Sequence, residues 1–456
     1  MPRLLLINPS NAQRGLGNTR ATAWPPLNLA YVAAVTPGHY DIELLDENIE
    51  PFTFREADIV GITAYTASAP RAYQIAQVYH DRGIPIVMGG IHVSMMPEEA
   101  LNYCDAVVIG EAEPVWLKVL EDFEGRRLQK RYSSSWVELN TLPFPRRDLL
   151  LNSFYRWGSI QTSRGCPMDC TFCSVTAFNG RRFRRRPLDS VIAELEQIPQ
   201  KMVMLTDDNI IGYGKEDRDW AYAFFSRILE KRINKIFFAQ ASIQLGEDPE
   251  FIRVAARAGL KIVFVGMESV NPDSLKSYQK SLNLQRLNQN RYKELISAIR
   301  SEGIAFLGAF VLGGDEDDRS VFDTTLQFIK SAHIDVLQVT KPTPLPGTKL
   351  WVKLQQEGRI LNQNFPEAWN DYRLTKLVFK PAKMSIEEVY EGFTYLRDSY
   401  YSIWETAKRT VSTLVTTKSL TASFIAYKFN ASYREAFVNS QHYSHYKSSE
   451  LKNKFT

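Results

Sequence analysis

The stretch RGCPMDCTFC, Arg164–Cys173, decides how the rest of the chain is interpreted, because it holds three of the four cysteines in 456 residues. Cys166, Cys170 and Cys173 follow the spacing C-x3-C-x2-C. Three thiolates this close in sequence can bind a soft metal centre. No histidine lies near them, and Cys104 sits far upstream in the apolar segment LNYCDAVVIG. The cluster therefore offers three ligands and leaves one coordination position open.

The open position separates two kinds of metal site. A structural zinc site has four protein ligands, whereas a catalytic zinc or a cubane iron–sulfur cluster bound by three cysteines leaves a position for substrate or cofactor. A structural zinc module is the alternative that these residues alone allow. The cysteines do not form the disulfide framework of a secreted protein, so they indicate a reducing compartment.

Length and composition limit the class of protein. A chain of 456 residues exceeds one ordinary core, so we expect two or three domains. Hydrophobic residues make up 44% and charged residues 23%, as in soluble globular proteins. The net charge of +4 is too small to indicate nucleic-acid binding. The start, MPRLLLINPS, predicts a strand rather than a signal peptide, and no apolar run reaches membrane-spanning length, so we expect a cytoplasmic protein.

Upstream of the cysteines, residues 1–130 alternate short apolar runs with amphipathic helices. Strands are predicted at 4–7, 41–46, 57–65, 84–90 and 106–110. This alternation predicts a parallel, doubly wound α/β sheet, whose ligands bind outside the carboxyl ends of the strands. Gly89, Gly90 and Gly110 lie at such ends, where they either let a backbone approach a ligand or form tight turns.

Downstream, a polar and proline-rich stretch over residues 131–155 is predicted to be a linker. Residues 156–362 resume the alternation, with strands predicted at 158–162, 202–206, 235–240, 261–267, 304–312 and 334–341. About six βα units favour a partial or full parallel barrel, and the cysteines follow its first strand, where barrel active sites lie. Residues 363–456 are predicted to be helical, beginning at a capping box at Ser385 and Glu388.

The cysteine spacing, with the aromatic Phe172 before the last cysteine, resembles the signature of radical S-adenosylmethionine (SAM) enzymes. The resemblance implies that Cys166, Cys170 and Cys173 hold a [4Fe–4S] cluster whose open iron is chelated by SAM. In that family an electron from the cluster cleaves SAM to a 5′-deoxyadenosyl radical, and the protein positions and shields this radical. A reduced flavodoxin- or ferredoxin-type protein is the electron donor that the resemblance implies.

The resemblance extends over most of the chain. LTDDNIIG (205–212), FVGMESVNPDSL (264–275) and TPLPGTKLW (343–351) resemble strand ends of radical SAM barrels. IPIVMGGIHVSMMPEEAL (84–101) resembles the cobalamin-binding domain of one class, which includes hopanoid C-methylase-like proteins and anaerobic magnesium-protoporphyrin ester cyclases. It implies an N-terminal Rossmann-like cobalamin-binding domain, a partial (βα)6 radical SAM barrel of the TIM type and a helical C-terminal region.

Candidate SAM-binding residues lie at the strand ends of the second domain. Asp207 and Asp208 can hydrogen-bond the amino group or ribose, although an Asx turn is the alternative. Glu268 would be unfavourable to bury without a partner, which favours a ligand role. The predicted SAM-binding set is Phe172, Asp207, Asp208, Gln240, Ser242, Glu268 and Gly313.

The candidate cobalamin-binding residues lie at the strand ends of the first domain. They are Asp46, Glu47, Thr63, Gly89, Gly90, His92, Gly110 and Glu111. Many cobalamin domains carry D-x-H-x-x-G, whose histidine is the lower cobalt ligand. The corresponding stretch LLDENIEPF (44–52) has no histidine, as in several cobalamin-dependent radical enzymes. Cobalamin is therefore an expected cofactor, and a domain of the same shape without it is the alternative.

The resemblance implies methylation of an unactivated carbon in a small-molecule or lipid-like substrate through methylcobalamin, using two SAM molecules. One alternative is a cobalamin-independent radical SAM enzyme for oxidation, ring formation or carbon–carbon coupling. A non-catalytic metal-binding module is a third interpretation, although a chain with so large a core does not need a metal ion to stabilise its fold. We expect no nucleic-acid partner and no transmembrane segment, and contact with a membrane surface stays compatible with these expectations.

Overall fold

The computed structural model describes residues 1–10, 24–134 and 136–441, the last seven by their backbone only. The N-terminal domain contains the strands β1 (Arg3–Asn8), β2 (Asp41–Asp46), β3 (Ile59–Thr63), β4 (Ile86–Gly89), β5 (Ala106–Ile109) and β6 (Arg131–Ser133). They form one parallel sheet in the order β2-β1-β3-β4-β5-β6. The predicted doubly wound sheet is therefore confirmed.

Helices connect these strands: α1 (Leu27–Ala34), α2 (Ala69–His80), α3 (Ile91–Met95), α4 (Pro97–Ala100) and α5 (Glu113–Glu124), with a 3-10 turn at Thr66–Ser68. Helix α2 shows how the sequence specifies them. Ala72, Ile75, Ala76 and Tyr79 recur at helical spacing and are all buried, and Pro70 lies in the first turn, where its missing N–H is tolerated.

The structure corrects the predicted start of the linker. Arg131–Ser133, assigned to the linker by sequence, is strand β6 and pairs in parallel with β5, with Val107 opposite Arg131. An edge strand of three residues is too short to show a period-two pattern, so its polar composition concealed it. The segment that follows contains a 3-10 turn at Arg147–Leu150.

The second domain contains the strands β7 (Trp157–Ile160), β8 (Ser163–Arg164), β9 (Arg184–Arg185), β10 (Met202–Leu205), β11 (Ile236–Ala241), β12 (Leu260–Glu268), β13 (Ala305–Val311) and β14 (Val336–Thr340). Six of them form a parallel sheet in the order β14-β13-β12-β11-β10-β7. All six strands predicted for the partial barrel are present. The other two, β8 and β9, form a short antiparallel hairpin.

The helices of this domain are α6 (Ser174–Asn179), α7 (Leu188–Gln197), α8 (Lys215–Glu230), α9 (Pro249–Ala258), α10 (Pro272–Ser277), α11 (Ser281–Asn288), α12 (Tyr292–Ser301), α13 (Ser320–Ser331) and α14 (Lys349–Gln356), with a 3-10 turn at Ile243–Glu247. Their apolar faces pack on the sheet; in α7, for example, Val191, Ile192 and Leu195 are buried.

The C-terminal region contains a 3-10 turn at Glu367–Asp371 and the helices α15 (Ile386–Tyr400), α16 (Ile403–Thr417) and α17 (Leu420–Gln441). The capping box is confirmed, because the Ser385 Oγ accepts from the Glu388 N–H at 3.1 Å and Glu388 accepts from the Ser385 N–H at 2.9 Å. The predicted helical run continues past Tyr400 in sequence, but in the structure Ser402 caps a separate helix there.

Helix α17 packs across the open side of the partial barrel. It contacts β12, β13 and β14, while Phe429 meets Phe238 of β11 and Trp157 of β7 at ring-centroid distances of 5.4 and 6.4 Å. Within the described ranges, no helix combines the length and the apolar character needed to cross a bilayer.

Candidate active site

The hairpin of β8 and β9 carries the cysteine loop at the carboxyl end of the barrel. Gly165 follows β8 at φ +87°, and a Cβ there would lie 2.3 Å from the carbonyl oxygen of Arg182, so only glycine fits. Asp207 at the end of β10 anchors the hairpin. Its buried carboxylate accepts a hydrogen bond from Thr162 Oγ1 at 2.6 Å and another from Ser163 Oγ.

The three cysteines are half-buried on this loop. Cys173 donates its N–H to the Cys170 carbonyl at 3.2 Å and immediately precedes α6. The Tyr213 hydroxyl donates to Cys166 Sγ at 2.8 Å. Burial raises the pKa of Cys170 to about 11, and the neighbouring thiols add to this while Lys280 opposes it. Metal binding must therefore displace protons from these thiols.

The donor set of this loop fits a [4Fe–4S] cluster with one open iron. Cys104 cannot supply a fourth thiolate here, because it is buried in the first domain and donates to the carbonyls of Ala100 and Ala106 at 3.2 and 3.3 Å. In the described part of the chain, no three His, Cys, Asp or Glu side chains are arranged to share one metal ion. A cubane does not require this arrangement, because each cysteine binds its own iron.

Beside Cys170 the structure brings Phe172 and Glu268 together with Lys280. Glu268 ends β12 at φ +63°, a rare conformation for a residue other than glycine. Its Oε1 lies 2.7 Å from Lys280 Nζ, and that ammonium lies 5.9 Å from the centroid of the Phe172 ring. Burial disfavours the ammonium, but Glu268 and the cysteines outweigh this effect and raise the pKa of Lys280. Glu268 thus has the partner that its burial requires.

Two buried hydroxyls in this region have no hydrogen-bond partner among the described residues. They are Tyr278 OH, whose ring packs edge-on against Phe172 at 5.2 Å, and Ser242 Oγ at the end of β11. Ser242 is held by its backbone, which donates to Asn209 Oδ1 at 3.0 Å. Buried polar groups are rarely left unsatisfied, so these two hydroxyls suit hydrogen bonds to a polar cofactor such as SAM.

The other predicted SAM residues lie at neighbouring strand ends. Burial, aided by Asp207, raises the pKa of Asp208 to about 6, and the Gly165 backbone partly offsets this by hydrogen-bonding to Asp208. The Gln240 carbonyl accepts from the Ile210 N–H at 2.9 Å. Gly313 follows β13 in a turn closed by its N–H to Asp317 Oδ2 at 2.9 Å. The contacts of these residues are hydrogen bonds that hold the loops after the strands in place. SAM binding by these residues stays a prediction.

In the first domain, Asp46 ends β2 and Glu47 follows it, and both already have protein partners. Asp46 accepts from Asn8 Nδ2 at 2.8 Å and from the Tyr155 hydroxyl at 2.6 Å, and Glu47 pairs with Arg71 at 2.6 Å. These contacts join the sheet edge to the chain that enters the barrel. A direct cobalamin contact by either residue stays a prediction.

The glycines of this sheet edge fill two roles. Gly90 lies at φ +96°, and a Cβ there would come within 2.9 Å of Thr63 Oγ1 and the Ala64 backbone. Of the two roles predicted for these glycines, Gly90 therefore has that of a tight turn. Thr63 Oγ1 also accepts from Asn28 Nδ2 at 3.1 Å. Gly89 and Gly110 lie at the ends of β4 and β5, and Gly89 has no such close neighbour.

His92 is completely buried, and both of its ring nitrogens have protein partners. Nε2 lies 3.1 Å from Glu99 Oε1, and Nδ1 lies 3.4 Å from Thr66 Oγ1. Glu99 also accepts from Trp369 Nε1 at 3.0 Å, and these hydrogen bonds outweigh burial and lower the pKa of Glu99. His92 therefore packs between the first domain and the C-terminal region, 5.2 Å from Trp369 between ring centroids. A contact of His92 with cobalamin stays a prediction.

Glu111 links the two domains directly at the cysteine hairpin. Its carboxylate accepts from Arg184 Nη2 at 2.6 Å and from Arg164 Nη1 at 3.1 Å, one arginine from each strand of the hairpin. It also accepts from the Val137 N–H at 2.6 Å. Arg164 and Arg184 outweigh the effect of burial and lower the pKa of Glu111.

These contacts place the carboxyl edge of the first sheet against the cysteine loop. Helix α3, which follows β4, packs on α6, which follows Cys173. Gly347 lies at φ +81°, which favours glycine, and a Cβ there would lie 2.3 Å from Met95 Sδ of α3, so the methionine side chain would have to move. A group bound at the edge of the first sheet would thus face a group bound by the cysteines.

Sequence reasoning missed four residues of this site: Arg164, Arg184, Tyr213 and Lys280. Arg184 belongs to the basic run at residues 181–186, and such runs are usually solvated, whereas Arg164 is a single arginine beside the cysteine motif. Lys280 lies in the polar segment LKSYQKS, where a lysine normally faces solvent. No local signal distinguishes these side chains, because their partners Glu111 and Glu268 are remote in sequence.

The sequence matches three family descriptions: "B12 binding domain" over residues 13–119, "Radical SAM superfamily" over 160–329 and "Domain of unknown function (DUF4070)" over 348–443. Bacteriochlorophyllide d C-12(1)-methyltransferase of Chlorobaculum tepidum is 30% identical over 414 residues, which cover 87% of each chain. Hopanoid C-2 methylase of Rhodopseudomonas palustris is 28% identical, and the match covers 78% of this chain and 68% of that protein.

Among solved structures, the cobalamin-dependent S-adenosylmethionine radical enzyme OxsB with aqua-cobalamin and S-adenosylmethionine bound has a TM-score of 0.71. Its sequence is 14% identical, and the match covers 100% of this chain and 81% of that one. This likeness concerns the fold, and it confirms the predicted order of an α/β domain, a partial barrel and a helical region.

Proposed function

Because the chain belongs to the radical SAM enzymes that carry a B12-binding domain, we propose that it methylates an unactivated carbon of its substrate. Its cofactors are a [4Fe–4S] cluster, SAM and cobalamin. When bound, these groups supply the electron, the radical source and the carrier of the methyl group. The observation that carries the proposal is the contact between the carboxyl edge of the first sheet and the cysteine loop.

The chain's own residues bind and orient these groups. Cys166, Cys170 and Cys173 hold the cluster, and the Tyr213 hydroxyl stabilises the first thiolate by a hydrogen bond. The unpartnered hydroxyls of Tyr278 and Ser242 are available to the polar groups of SAM. The ion pair of Glu268 and Lys280 sets the charge beside Cys170.

The substrate that we propose is a large, mostly apolar carbon framework. The two relatives named above act, by their names, on a bacteriochlorophyllide and on a hopanoid, which are both extended ring systems. For the electron donor we propose a reduced flavodoxin- or ferredoxin-type protein. Arg181 and Arg182 are exposed on the cysteine loop, where acidic groups of such a partner can pair with them.

Anaerobic reconstitution tests the function. The protein is loaded with iron, sulfide and hydroxocobalamin, passed through gel filtration, and incubated with SAM, dithionite and either bacteriochlorophyllide d or a hopanoid as probe. We expect about one corrinoid per chain, a methylated probe, and about equal amounts of 5′-deoxyadenosine and S-adenosylhomocysteine. Formation of 5′-deoxyadenosine without bound corrinoid would rule out methyl transfer through cobalamin.

One observation favours a second candidate, a radical SAM oxidation, ring closure or carbon–carbon coupling. Asn48 stands where many cobalamin domains have the lower-ligand histidine, and its side chain donates to Asp46 Oδ1 at 2.7 Å. Cobalamin held without a protein ligand can serve a reaction other than methyl transfer. The same incubation separates the two candidates, because this one gives 5′-deoxyadenosine without S-adenosylhomocysteine.

A further inference from the structure

Helices α16 and α17 form a hairpin whose outer face is apolar and open to solvent. On α16 the exposed side chains include Ile403, Trp404, Val411, Leu414 and Val415, and on α17 they include Leu420, Phe424 and Tyr427. Trp404 is 79% exposed, Leu420 is 76% exposed and Phe424 is 60% exposed. Isolated exposed apolar residues are ordinary, but a contiguous set on two adjacent helices marks an interaction surface.

Helical periodicity places these residues on one side of each helix. Trp404, Val411 and Val415 are spaced by seven and four residues, and so are Leu420, Tyr427 and Ala431, with Phe424 four residues after Leu420. The opposite faces are buried on the barrel. Below, the outer face of the hairpin means Ile403, Trp404, Val411, Leu414, Val415, Leu420, Phe424 and Tyr427.

Both outer faces point away from the same part of the barrel. Thr413 of α16 donates to Asp335 Oδ1 at 2.7 Å, and Asn430 of α17 donates to the Asp335 carbonyl at 2.8 Å. Ser423 Oγ of α17 also donates to the Thr410 carbonyl of α16 at 2.9 Å, which joins the two helices. Because the inner faces converge on Asp335, the outer faces together form one surface.

Charge identifies what can cover this surface. From Thr406 to Arg434 the sequence has five lysines and arginines and no Asp or Glu. Lys408, Lys418 and Lys428 are exposed. Lys408 lies between Trp404 and Val411 on the same side of α16 and pairs with Glu405 at 3.4 Å, and Lys418 and Lys428 lie beside the outer face. The 15 residues from His442 onward add three lysines and one glutamate. An apolar centre with aromatic residues and a cationic border is typical of helices that lie in the interface of an anionic membrane.

A second copy of the chain would fit this surface less well. A twofold dimer places each patch against itself, so two patches whose charges are mostly positive would face each other. An anionic bilayer instead neutralises the exposed lysines and buries Trp404, Phe424 and Tyr427 at the depth where aromatic side chains concentrate. Lysine side chains at the border can extend their ammonium groups to the lipid phosphates.

From these observations we propose that the outer face of the α16–α17 hairpin binds the surface of an anionic phospholipid bilayer. Asp335 precedes β14, so this surface lies at the amino edge of the barrel, opposite the edge that carries the cysteines. Membrane binding therefore leaves the cysteine loop accessible. The proposal does not depend on the reaction that the enzyme catalyses.

Vesicle flotation with the full-length protein tests it. We expect the protein to float with vesicles of phosphatidylcholine and phosphatidylglycerol, and to float much less with phosphatidylcholine alone or in high salt. The variant W404S/F424S should lose about tenfold in vesicle affinity. The matched control L151S/F154S changes two exposed apolar residues outside the hairpin and should bind as the unchanged chain does.

The charge variant K408E/K428E separates the apolar contribution to binding from the electrostatic one. It keeps the apolar residues of the outer face and reverses the charge of two lysines beside them. It should lose its preference for phosphatidylglycerol. The proposal is overturned if the unchanged protein does not float with anionic vesicles, or if W404S/F424S floats equally well. It is also overturned if light scattering shows that the unchanged protein is a dimer and W404S/F424S a monomer, while neither protein binds vesicles. Circular dichroism confirms that each variant is folded.

Discussion

Cys104 provides an internal control for the three clustered cysteines, since it is a thiol of the same chain in a different environment. Replacing Cys166, Cys170 or Cys173 by serine should remove most of the iron and the brown absorption of the reconstituted protein, because an alcohol is a poor ligand for the cluster. Cys104→Ser should keep the full iron content. Iron and sulfide analysis after anaerobic reconstitution measures both. Equal iron loss in Cys104→Ser would contradict this assignment of the ligands.

Lys341 is a buried lysine that directly follows β14, the last strand of the barrel. Its Nζ donates to the Thr375 carbonyl at 2.9 Å and lies 3.8 Å from the centroid of the Phe393 ring. Burial lowers the pKa of Lys341 to about 7. The unfolded chain, with its ordinary lysine pKa, therefore binds an extra proton between pH 7 and about 10.

This difference in pKa has a defined sign. The free energy of unfolding should rise as pH increases from 7 to about 10, and the penalty for burying the charge is complete below pH 7. Lys341→Met should therefore raise the unfolding midpoint more at pH 6 than at pH 9. Lys380→Met, at an exposed lysine, should show no such difference. Thermal melts at both pH values measure the effect, and a larger gain at pH 9 would show that the ammonium is not buried in this way.

Strands and helices show what could be predicted from the sequence and what could not. The buried parallel strands are continuous apolar runs bounded by glycine and polar residues, so all six strands of the second sheet could be located. Strand β6 was not predicted, because three residues are too few to show the alternation of apolar and polar side chains that marks a strand. The end of α15 was not predicted, because the residues from Tyr400 to Ser402 have no proline or glycine. The local signal for the break is Ser402, which lies three residues before Glu405 and caps the next helix.

Some residues of the candidate active site could also be predicted from the sequence, and others could not. The cysteine spacing carries its own chemistry, and therefore Cys166, Cys170 and Cys173 could be identified without a structure. Lys280 could not, because its role depends on Glu268, which only the fold brings to within 2.7 Å. A lone histidine after a strand is either a ligand or a packed structural residue, and only the fold shows Glu99 and Thr66 beside the two ring nitrogens of His92. A contact of His92 with cobalamin stays a prediction.

Two serine caps in the C-terminal region allow a comparison between elements. Ser385 and Glu388 make two reciprocal hydrogen bonds at the start of α15, whereas Ser402 makes one bond of 3.3 Å at the start of α16. Ser385→Ala should destabilise the first turn of α15 by about 1 kcal/mol, and Ser402→Ala should have a smaller effect on α16. Hydrogen exchange at the amides of residues 386–389 should accelerate about fivefold in the first variant. Unchanged exchange there would mean that tertiary packing alone holds this turn.

For the whole molecule, a few buried polar contacts reinforce the apolar packing that joins the two domains. Tyr155 donates to Asp46, and Arg186 Nη1 donates to the Tyr31 hydroxyl at 3.1 Å. Glu111 is the contact nearest the cysteines. Because parallel sheets bind ligands at their carboxyl edges, a fixed angle between the two edges is what brings the two cofactor positions together. The contacts that set this angle should therefore affect coupling between the cofactors more than binding of either one.

Glu111→Gln tests this coupling. The change removes the negative charge that Arg164 and Arg184 share, and a buried cation left without its partner is strongly unfavourable, so the hairpin and the first domain should separate slightly. We expect unchanged iron content and corrinoid binding, but more 5′-deoxyadenosine formed per methylated product. Glu113→Gln is the matched control, because Glu113 pairs with Arg164 at 2.6 Å and, among the described residues, with no second arginine. Its product ratio should stay closer to that of the unchanged enzyme. If Glu111→Gln keeps the original ratio, the alignment of the two domains does not depend on this carboxylate.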